Sequence, residues 1–319
     1  MIKVNKLFLT GAVRVCIGLA LPVLVLASQA TGQTRTFDAG GNGTSWTDPA
    51  NWSDDNAPDS AAESASIDAG GAFDVDLNST LTIANLTVGA DDSLTVSSGN
   101  LTVNGTATTP GTVTINGFGT FITSGAWTNT GTVVFDAYTL AGANGVFTNA
   151  PTGTLAGSAY NGIGYVGSEF HNEGTISPGF GPGDGKYLTI ATTTYLEPTS
   201  ILDIEIGGIG NTNVDFDQLY TPTSIFLGGT LNVSLFNGYT PTPLSTYAIV
   251  SGYMTDATGE FANVADGQRI MTLGGEGSFL VTYDIDNNYV ALSDFQPVPE
   301  PATAVLLLPA ALALYRRRA

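Results

Sequence analysis

Apart from its many carboxylates, the central part of this 319-residue chain has few side chains that could act as a general base or nucleophile. His171 is the one histidine. A Ser-His-Asp triad would need it, yet no Gly-x-Ser-x-Gly elbow accompanies it. Thr128 and Thr148 occupy the equivalent positions of a local repeat. We therefore expect His171 to be a solvated turn residue and not a catalytic base.

Paired carboxylates offer a second route to chemistry. Asp203 and Glu205 lie two residues apart, as do Asp215 and Asp217, and this spacing places both members of a pair on one face of a strand. Two carboxylates support glycoside hydrolysis when burial or a neighbouring charge raises the pKa of one of them. Asp203 and Glu205, however, alternate with aliphatic residues, a pattern that turns the acids towards water. We therefore predict no catalytic residues, with a polysaccharide hydrolase or lyase as the alternative.

The many carboxylates favour calcium over other metal ions. Residues 284–288, Asp-Ile-Asp-Asn-Asn, match the first ligand positions of an EF-hand loop, but Tyr289 stands where that loop needs glycine. Phe295 occupies its twelfth position. A hairpin turn between residues 281–283 and 289–292 explains the same residues. We predict no cofactor and identify no specific metal site.

The charge balance excludes nucleic acid as a partner. Only 12% of the residues are charged, and 9 Lys and Arg face 28 Asp and Glu. Between residues 31 and 298 there are 27 acids and 3 bases, the latter being Arg35, Lys186 and Arg269. Phosphate contacts need clustered Lys and Arg, which this stretch lacks.

Residues 1–30 have the pattern of a signal peptide. A basic start and an apolar run precede Ser28 and Ala30, the small residues that such a peptide carries before its cleavage site. We predict cleavage after Ala30, with an uncleaved anchor as the alternative. Cys16, the single cysteine, lies inside this segment, so disulfides and thiolate chemistry are not expected in the mature chain.

The C-terminal segment has three parts: a Pro-Glu-Pro motif, an apolar stretch over residues 302–315 and an arginine cluster. As a helix, the apolar stretch is about 21 Å long, short of the roughly 30 Å hydrocarbon core of a bilayer. Positive charge at its far end favours the cytoplasmic side. The motif residues are Pro299, Glu300, Pro301, Arg316, Arg317 and Arg318.

This tripartite segment resembles the PEP-CTERM sorting signal of Gram-negative bacteria. The resemblance implies recognition by an exosortase-type processing enzyme and transient insertion of residues 302–315 into the inner membrane. It also implies an association with exopolysaccharide and biofilm formation. Plain C-terminal membrane anchoring is the alternative.

The body between these segments has the pattern of β-strands. From residue 74 to about 290, short alternating runs are interrupted by Gly, Asn, Pro and Asp. A recurring element carries Asn129, Asn149 and Asn172, with spacings near those of one coil of a β-solenoid. Asparagines at equivalent positions would stack as an amide ladder. The alternative is a β-sandwich with irregular hairpins.

Residues 172–292 are similar to the C-terminal part of autotransporter passenger domains. The similarity rests on Asn-Glu-Gly-Thr-Ile-Ser-Pro-Gly at 172–179, Leu-Asp-Ile-Glu-Ile at 202–206, Leu-Gly-Gly-Thr-Leu-Asn-Val at 227–233 and Gly-Glu-Phe at 259–261. It implies a right-handed parallel β-helix closed by a β-rich cap.

The predicted organisation has five parts. Residues 1–30 are the signal peptide, 31–75 an N-terminal cap region, 76–200 the solenoid repeats, 201–294 a C-terminal β-rich cap and 295–319 the sorting signal with its short hydrophobic helix. Trp46 and Trp52 lie in the first cap region. We expect them to cover the end of the solenoid, with a sugar-stacking platform as the alternative.

These features together predict an exported protein of the cell envelope or extracellular space, with transient or retained C-terminal anchoring. Its expected role is structural or adhesive, within the extracellular polysaccharide matrix. The alternatives are a β-helix carbohydrate-active enzyme and a membrane-anchored glycan-binding module.

Overall fold

The structure is a computed structural model that describes residues 32–137, 139–163, 169–179, 187–210, 215–252, 257–284 and 288–298. All of these belong to one compact unit, Gly32–Ala319. The predicted signal peptide with its cleavage site at Ala30 lies outside the described residues. The same holds for residues 299–319, which include every residue of the predicted sorting motif.

The described chain is almost entirely β-strand, with a single short 3-10 helix at Pro49–Asn51. The first strands are β1 Thr34–Thr36, β2 Ser64–Ile67, β3 Asp74–Leu77, β4 Leu81–Ile83, β5 Leu86–Val88, β6 Ser93–Val96, β7 Asn100–Val103, β8 Ala107–Thr109, β9 Thr112–Ile115 and β10 Thr120–Thr123. They are followed by β11 Trp127–Asn129, β12 Thr132–Ala137, β13 Leu140–Ala143, β14 Phe147–Asn149, β15 Thr154–Ile163, β16 Glu169–Asn172, β17 Thr175–Pro178, β18 Tyr187–Ile190, β19 Thr193–Leu196 and β20 Ile201–Ile206. The last are β21 Gln218–Tyr220, β22 Ile225–Leu227, β23 Thr230–Leu235, β24 Tyr247–Ser251, β25 Ala257–Gly259, β26 Arg269–Met271, β27 Gly277–Asp284 and β28 Tyr289–Pro297.

One circuit of the chain around the solenoid is a coil, and each coil contributes strands to three faces. Strands of successive coils stack in parallel on each face. Face A is a ten-stranded sheet of β1, β2, β5, β8, β11, β14, β16, β19, β22 and β25. Face B consists of β3, β6, β9, β12, the start of β15, β17, β20 and β23. Face C consists of β4, β7, β10, β13, the end of β15, β18, β21 and β24. The predicted all-β parallel solenoid is confirmed, and the β-sandwich alternative is wrong.

Alternation of side chains along each strand builds the core. Inward positions on face B are aliphatic in successive coils, as in Val75, Leu94 and Val113, and these side chains are fully buried. The residue that follows each of them along its strand points to the outer surface and is half-buried. A strand too short to bury its apolar face alone therefore does so by stacking on the next coil.

Stacked coils bring their turns into close contact, which accounts for part of the high glycine content. A Cβ atom added to Gly125 would lie 2.5 Å from the carbonyl oxygen of Gly105 in the preceding coil. Glycine is therefore required where one turn lies directly on another.

Asparagine side chains form the predicted amide ladder inside face A. Asn129 donates to Asn149 at 2.8 Å across 20 residues, and Asn149 donates to Asn172 at 2.7 Å across 23 residues. All three are fully buried. Thr109 extends the ladder by donating to the Asn129 amide oxygen at 3.0 Å. Each buried amide thus has partners in the coils beside it, as burial of polar groups demands.

Aromatic residues close the N-terminal end of the solenoid. Trp46 and Trp52 are buried, and their ring centroids lie 5.0 Å apart. Trp52 also packs edge-on against Phe37 at 5.2 Å. The indole N–H of Trp52 donates to the Trp46 carbonyl at 2.7 Å, and that of Trp46 donates to Pro58 at 3.0 Å.

The C-terminal end is closed by antiparallel strands on face C and by hydrogen bonds from two single residues on face B. On face C, β28 pairs antiparallel with β24, and β27 pairs antiparallel with β28 and β26. On face B, the Asn263 side chain donates to the Leu231 carbonyl at 2.8 Å and accepts from the Leu231 N–H at 3.0 Å. Leu273 N–H donates to the Val233 carbonyl at 2.8 Å. The outer edge of β23 is therefore paired without a further strand.

Parallel pairing extends on both sides of the range predicted for the solenoid repeats. β1 and β2 already pair in parallel within residues 31–75. Beyond residue 200, β20, β22, β23 and β25 still pair in parallel with preceding coils, up to Gly259. The antiparallel strands begin at Arg269.

Candidate functional site

A continuous row of outward side chains runs along face A. Register places one residue of each coil directly over the next, and the row is Thr87, Thr108, Thr128, Thr148, His171, Tyr195 and Phe226. The first four are threonines and the last three are aromatic rings. The outer surface therefore changes from hydroxyl-bearing to aromatic along the solenoid.

The three rings form a ladder on the protein surface. His171 stacks on Tyr195 with centroids 4.6 Å apart and planes 6° apart, and Tyr195 stacks on Phe226 at 4.6 Å and 5°. Each of these side chains is half-buried. Because the ring faces cover one another, solvent meets mainly their edges.

Two glutamates hold His171 in this ladder. Its Nδ1 lies 2.8 Å from Glu197 Oε1, and its Nε2 lies 3.4 Å from Glu169 Oε2. Partial burial lowers the pKa of His171, but the hydrogen bonds and charges of Glu197 and Glu169 outweigh it, so the pKa is raised above its ordinary value. A raised pKa favours a protonated imidazole, which then forms ion pairs with both glutamates.

The structure corrects the predicted surroundings of His171. The residue pairs with Thr148 in the adjacent coil, as the repeat indicated, and it points outwards. It lies in strand β16, however, and not in a turn. The turn prediction was wrong because β16 continues through Asn172, and the bend begins only at Glu173.

Face B carries a groove with both polar and apolar lining near its C-terminal end. The groove has a volume of about 320 Å³. Asn232 donates to the Asp203 carboxylate at 2.7 Å across neighbouring strands. The groove is lined mainly by the side chains of Ser177, Asp203, Glu205, Asn232, Ser234 and Leu273.

The two predicted carboxylate pairs differ in their surroundings. Asp203 and Glu205 lie on the outer side of β20 in the groove, while Leu202, Ile204 and Ile206 point inwards, as predicted. Asp215 and Asp217 precede β21, so they do not form a pair on a strand face.

Asp217 and Asp215 instead accept hydrogen bonds from backbone N–H groups. Asp217 is fully buried and accepts from Glu205 at 2.9 Å. Asp215 accepts from Gly210 at 2.9 Å. These contacts give both carboxylates a role in holding the chain around the end of β20.

The sugar-platform alternative for Trp46 and Trp52 is wrong. Trp46 is 0% exposed and Trp52 is 1% exposed, so neither ring face can stack on a sugar. Their contacts match the predicted cap.

The hairpin predicted near residue 284 is confirmed. Asp284 pairs with Tyr289 in the antiparallel β27–β28 ladder, and residues 285–287 lie outside the described part of the chain. Within the described ranges, no group of three or more His, Cys, Asp or Glu side chains is placed to hold a metal ion. In that same part of the chain, no helix has the length and apolar character needed to cross a membrane.

Sequence reasoning missed the groove and the aromatic ladder. Asn232, Ser234 and Leu273 were visible only as members of strand-like segments. Tyr195 and Phe226 are 31 residues apart, so the spacing of 20 to 24 residues in the earlier coils does not align them. The alternation of buried and exposed positions within β19 and β22, taken one strand at a time, would have placed both rings on the outside.

Comparison with protein-family models and with curated proteins finds no match to this chain.

Proposed function

We propose that this chain is an exported, non-catalytic structural or adhesive protein of the extracellular polysaccharide matrix. The observation that supports this most directly is the outer surface of the solenoid, where threonine hydroxyl groups recur in successive coils over a buried apolar core. A long, repeating polar surface suits contact with a repeating polymer better than it suits turnover of a small substrate.

The construction of the body supports the same role. Stability comes from stacked strands, buried amides and capped ends, all of which lie between Thr34 and Val298. The only cysteine is Cys16, inside the predicted signal peptide. A chain of this kind needs no oxidative folding step after export.

In this proposal the C-terminal segment is the sorting signal. Residues 302–315 hold the chain transiently in the inner membrane, and an exosortase-type enzyme recognises the motif of Pro299, Glu300 and Pro301. The structural support is that the last described backbone hydrogen bond, from Val298 N–H to the Glu276 carbonyl at 2.9 Å, comes just before this motif. Processing beyond Val298 would leave every described strand in place.

Mass analysis of the native C-terminus tests the sorting step. Peptides covering residues 294–318 are compared between cells and medium. A terminus near residues 299–301, with the apolar segment removed, is the expected result. An intact Ala319 terminus found only in membranes contradicts processing and leaves a tethered surface protein.

A second experiment tests the matrix role. Deletion of the gene should reduce the amount or cohesion of the extracellular polysaccharide, and the intact gene should restore it. The purified protein should release no oligosaccharides from neutral or acidic polysaccharides.

The competing function is a β-helix carbohydrate-active enzyme, favoured by the position of Asp203 and Glu205 in the groove. Release of products that is lost in Asp203→Asn would establish that function and overturn the proposed one.

A further inference from the structure

The groove on face B spans neighbouring coils of the solenoid. Asp203 and Glu205 come from β20, and Asn232 and Ser234 occupy the same register on β23. Adjacent parallel strands are about 4.8 Å apart. The groove therefore presents two rows of polar groups, repeated at the strand spacing, over a volume in the range of small-ligand sites.

The side chains of the groove define the hydrogen-bonding character of a ligand. Carboxylates only accept hydrogen bonds when ionised, whereas the Asn232 amide and the Ser234 hydroxyl both donate and accept. A ligand that matches this set must offer several donors together with acceptors on the same scaffold. Sugar hydroxyls do both, and Leu273, 67% exposed, adds an apolar surface for the C–H faces of a sugar ring.

The negative surface charge of the protein determines which polysaccharides can bind in the groove. Arg35 and Arg269 both form ion pairs, with Asp54 and Glu63 in one case and Asp294 in the other. The remaining surface charge of the described chain is dominated by carboxylates, two of which lie in the groove. A uronic-acid or sulfated polymer would be repelled, so the electrostatic fit is to an uncharged chain.

The groove continues into an uncharged row on the same face. Register links Thr95, Thr114, Val134, Ala156 and Ser177 in successive coils, and Ser177 lines the groove. A polymer bound in the groove can therefore extend along face B over these five positions before the row reaches a charged residue, Asp76 of β3.

We propose that the groove of Asp203, Glu205, Asn232 and Ser234 binds a neutral polysaccharide through its sugar hydroxyls, and that the bound chain extends along face B. This rests on the proposed function in taking the matrix polymer as the ligand. It adds the site, the class of polymer and the direction of the chain.

Affinity electrophoresis with the full protein from its native host tests the proposal. The neutral probes are dextran and hydroxyethylcellulose, and the anionic probes are alginate and polygalacturonate. We expect retardation by at least one neutral polymer and none by the anionic ones. Asp203→Ala and Asn232→Ala should each weaken binding about tenfold, the effect of losing a hydrogen bond to a charged or buried partner.

Asp74→Ala is the matched control. Asp74 lies on β3 of the same face and accepts from Ser93 Oγ at 2.7 Å, a cross-strand contact like that of Asp203 and Asn232. It lies at the opposite end of the solenoid. Binding should be unchanged in this variant, and melting temperatures of all variants establish that a weaker affinity is not a folding defect.

Several outcomes would overturn the groove assignment. These are equal loss of binding in Asp74→Ala and Asp203→Ala, equal affinity for anionic polymers, no retardation by any neutral probe, or binding abolished by EDTA, which would make the groove a cation site. None of these affects the gene-deletion experiment. Conversely, a matrix unchanged by deletion contradicts the proposed function while leaving a measured groove affinity intact.

Discussion

His171 couples the surface of face A to pH. Its imidazole stacks on Tyr195 and lies between Glu169 and Glu197, so its protonated form gains two anionic partners that the unfolded chain does not provide. Thr128 and Thr148 occupy the same row without any such charge. The residue thus adds a local pH response to an otherwise uniform row.

We predict that His171→Thr removes a pH-dependent part of the stability. Because the pKa of His171 is raised in the folded chain, its contribution is fully present below about pH 6.5, the ordinary histidine pKa, and is lost as pH rises through the folded value. Urea unfolding of the native protein between pH 5.5 and 8.5 should show this decline. The variant should show a flatter profile, and an equally steep one would contradict the assignment.

Trp52 makes a larger contribution that does not depend on pH. Trp52→Ala should lower the free energy of unfolding by about 3–5 kcal/mol, the usual cost of truncating a buried tryptophan, because the ring is buried against Phe37 and Trp46. Calorimetric melting measures the loss. Leu244→Ala, at a side chain that is 95% exposed, is the control and should change stability little. An unchanged melting temperature in Trp52→Ala would contradict the cap.

For single residues, the sequence predicted whether a side chain points inwards or outwards better than it predicted which residues that side chain contacts. Alternation placed Asp203 and Glu205 outside and the aliphatic residues of β20 inside, because period-two burial is a property of one strand. It could not predict that Asn232 pairs with Asp203, since that contact depends on the length of the intervening coil. The burial of Asp217 was missed for the same reason.

The amide ladder of face A joins neighbouring strands into one unit. Asn149 is its central member, because it accepts from Asn129 and donates to Asn172 and to the Gly153 carbonyl at 3.2 Å. A buried amide with partners on both sides resists sliding of one coil over the next, because a shifted register would leave these groups unpaired.

We predict that Asn149→Ala lowers the free energy of unfolding by about 3 kcal/mol, since it leaves buried amide groups of both neighbours without this partner. Equilibrium unfolding in urea provides the measurement. Thr148→Ala, at the outward position of the same strand, should remain within about 0.5 kcal/mol of the native protein. Similar losses in both variants would show that the strand, and not the ladder, carries the effect.

Equivalent positions in successive strands were predictable where the coil length was nearly constant. Asn129, Asn149 and Asn172 were recognised as equivalent because each coil between them has nearly the same length. Later coils are longer, as in the 31 residues that separate Tyr195 from Phe226. Equivalent positions there cannot be aligned from spacing alone, and parallel pairing beyond residue 200 was therefore not expected.

A solenoid of stacked strands has two ends at which its backbone could pair with another molecule. Asn263 reduces this risk on face B, since its amide occupies both groups of Leu231 at the outer edge of β23. At the other end, the backbone of Trp46 and Thr44 pairs with Asp76 of β3. Capped edges limit the number of coils to those in one chain.

We predict that Asn263→Ala promotes self-association, because it leaves the Leu231 N–H and carbonyl unpaired at a strand edge. Sedimentation velocity at increasing concentration should detect dimers or larger species, together with a loss of about 1 kcal/mol in stability. Asn100→Ala, an exposed asparagine on β7, serves as the control and should remain like the native protein. A variant that stays monomeric at every concentration would show that other contacts close this end.

The position of β28 also determines how the molecule would respond to force. This nine-residue strand lies between β24 and β27, antiparallel to both, and the predicted anchoring segment follows directly after it. Tension on that segment during flow would pull β28 along its own length. Its backbone hydrogen bonds would then be loaded in shear and would share the load, whereas peeling would break them one at a time. The strand that completes the fold is thereby suited to serve as its mechanical attachment.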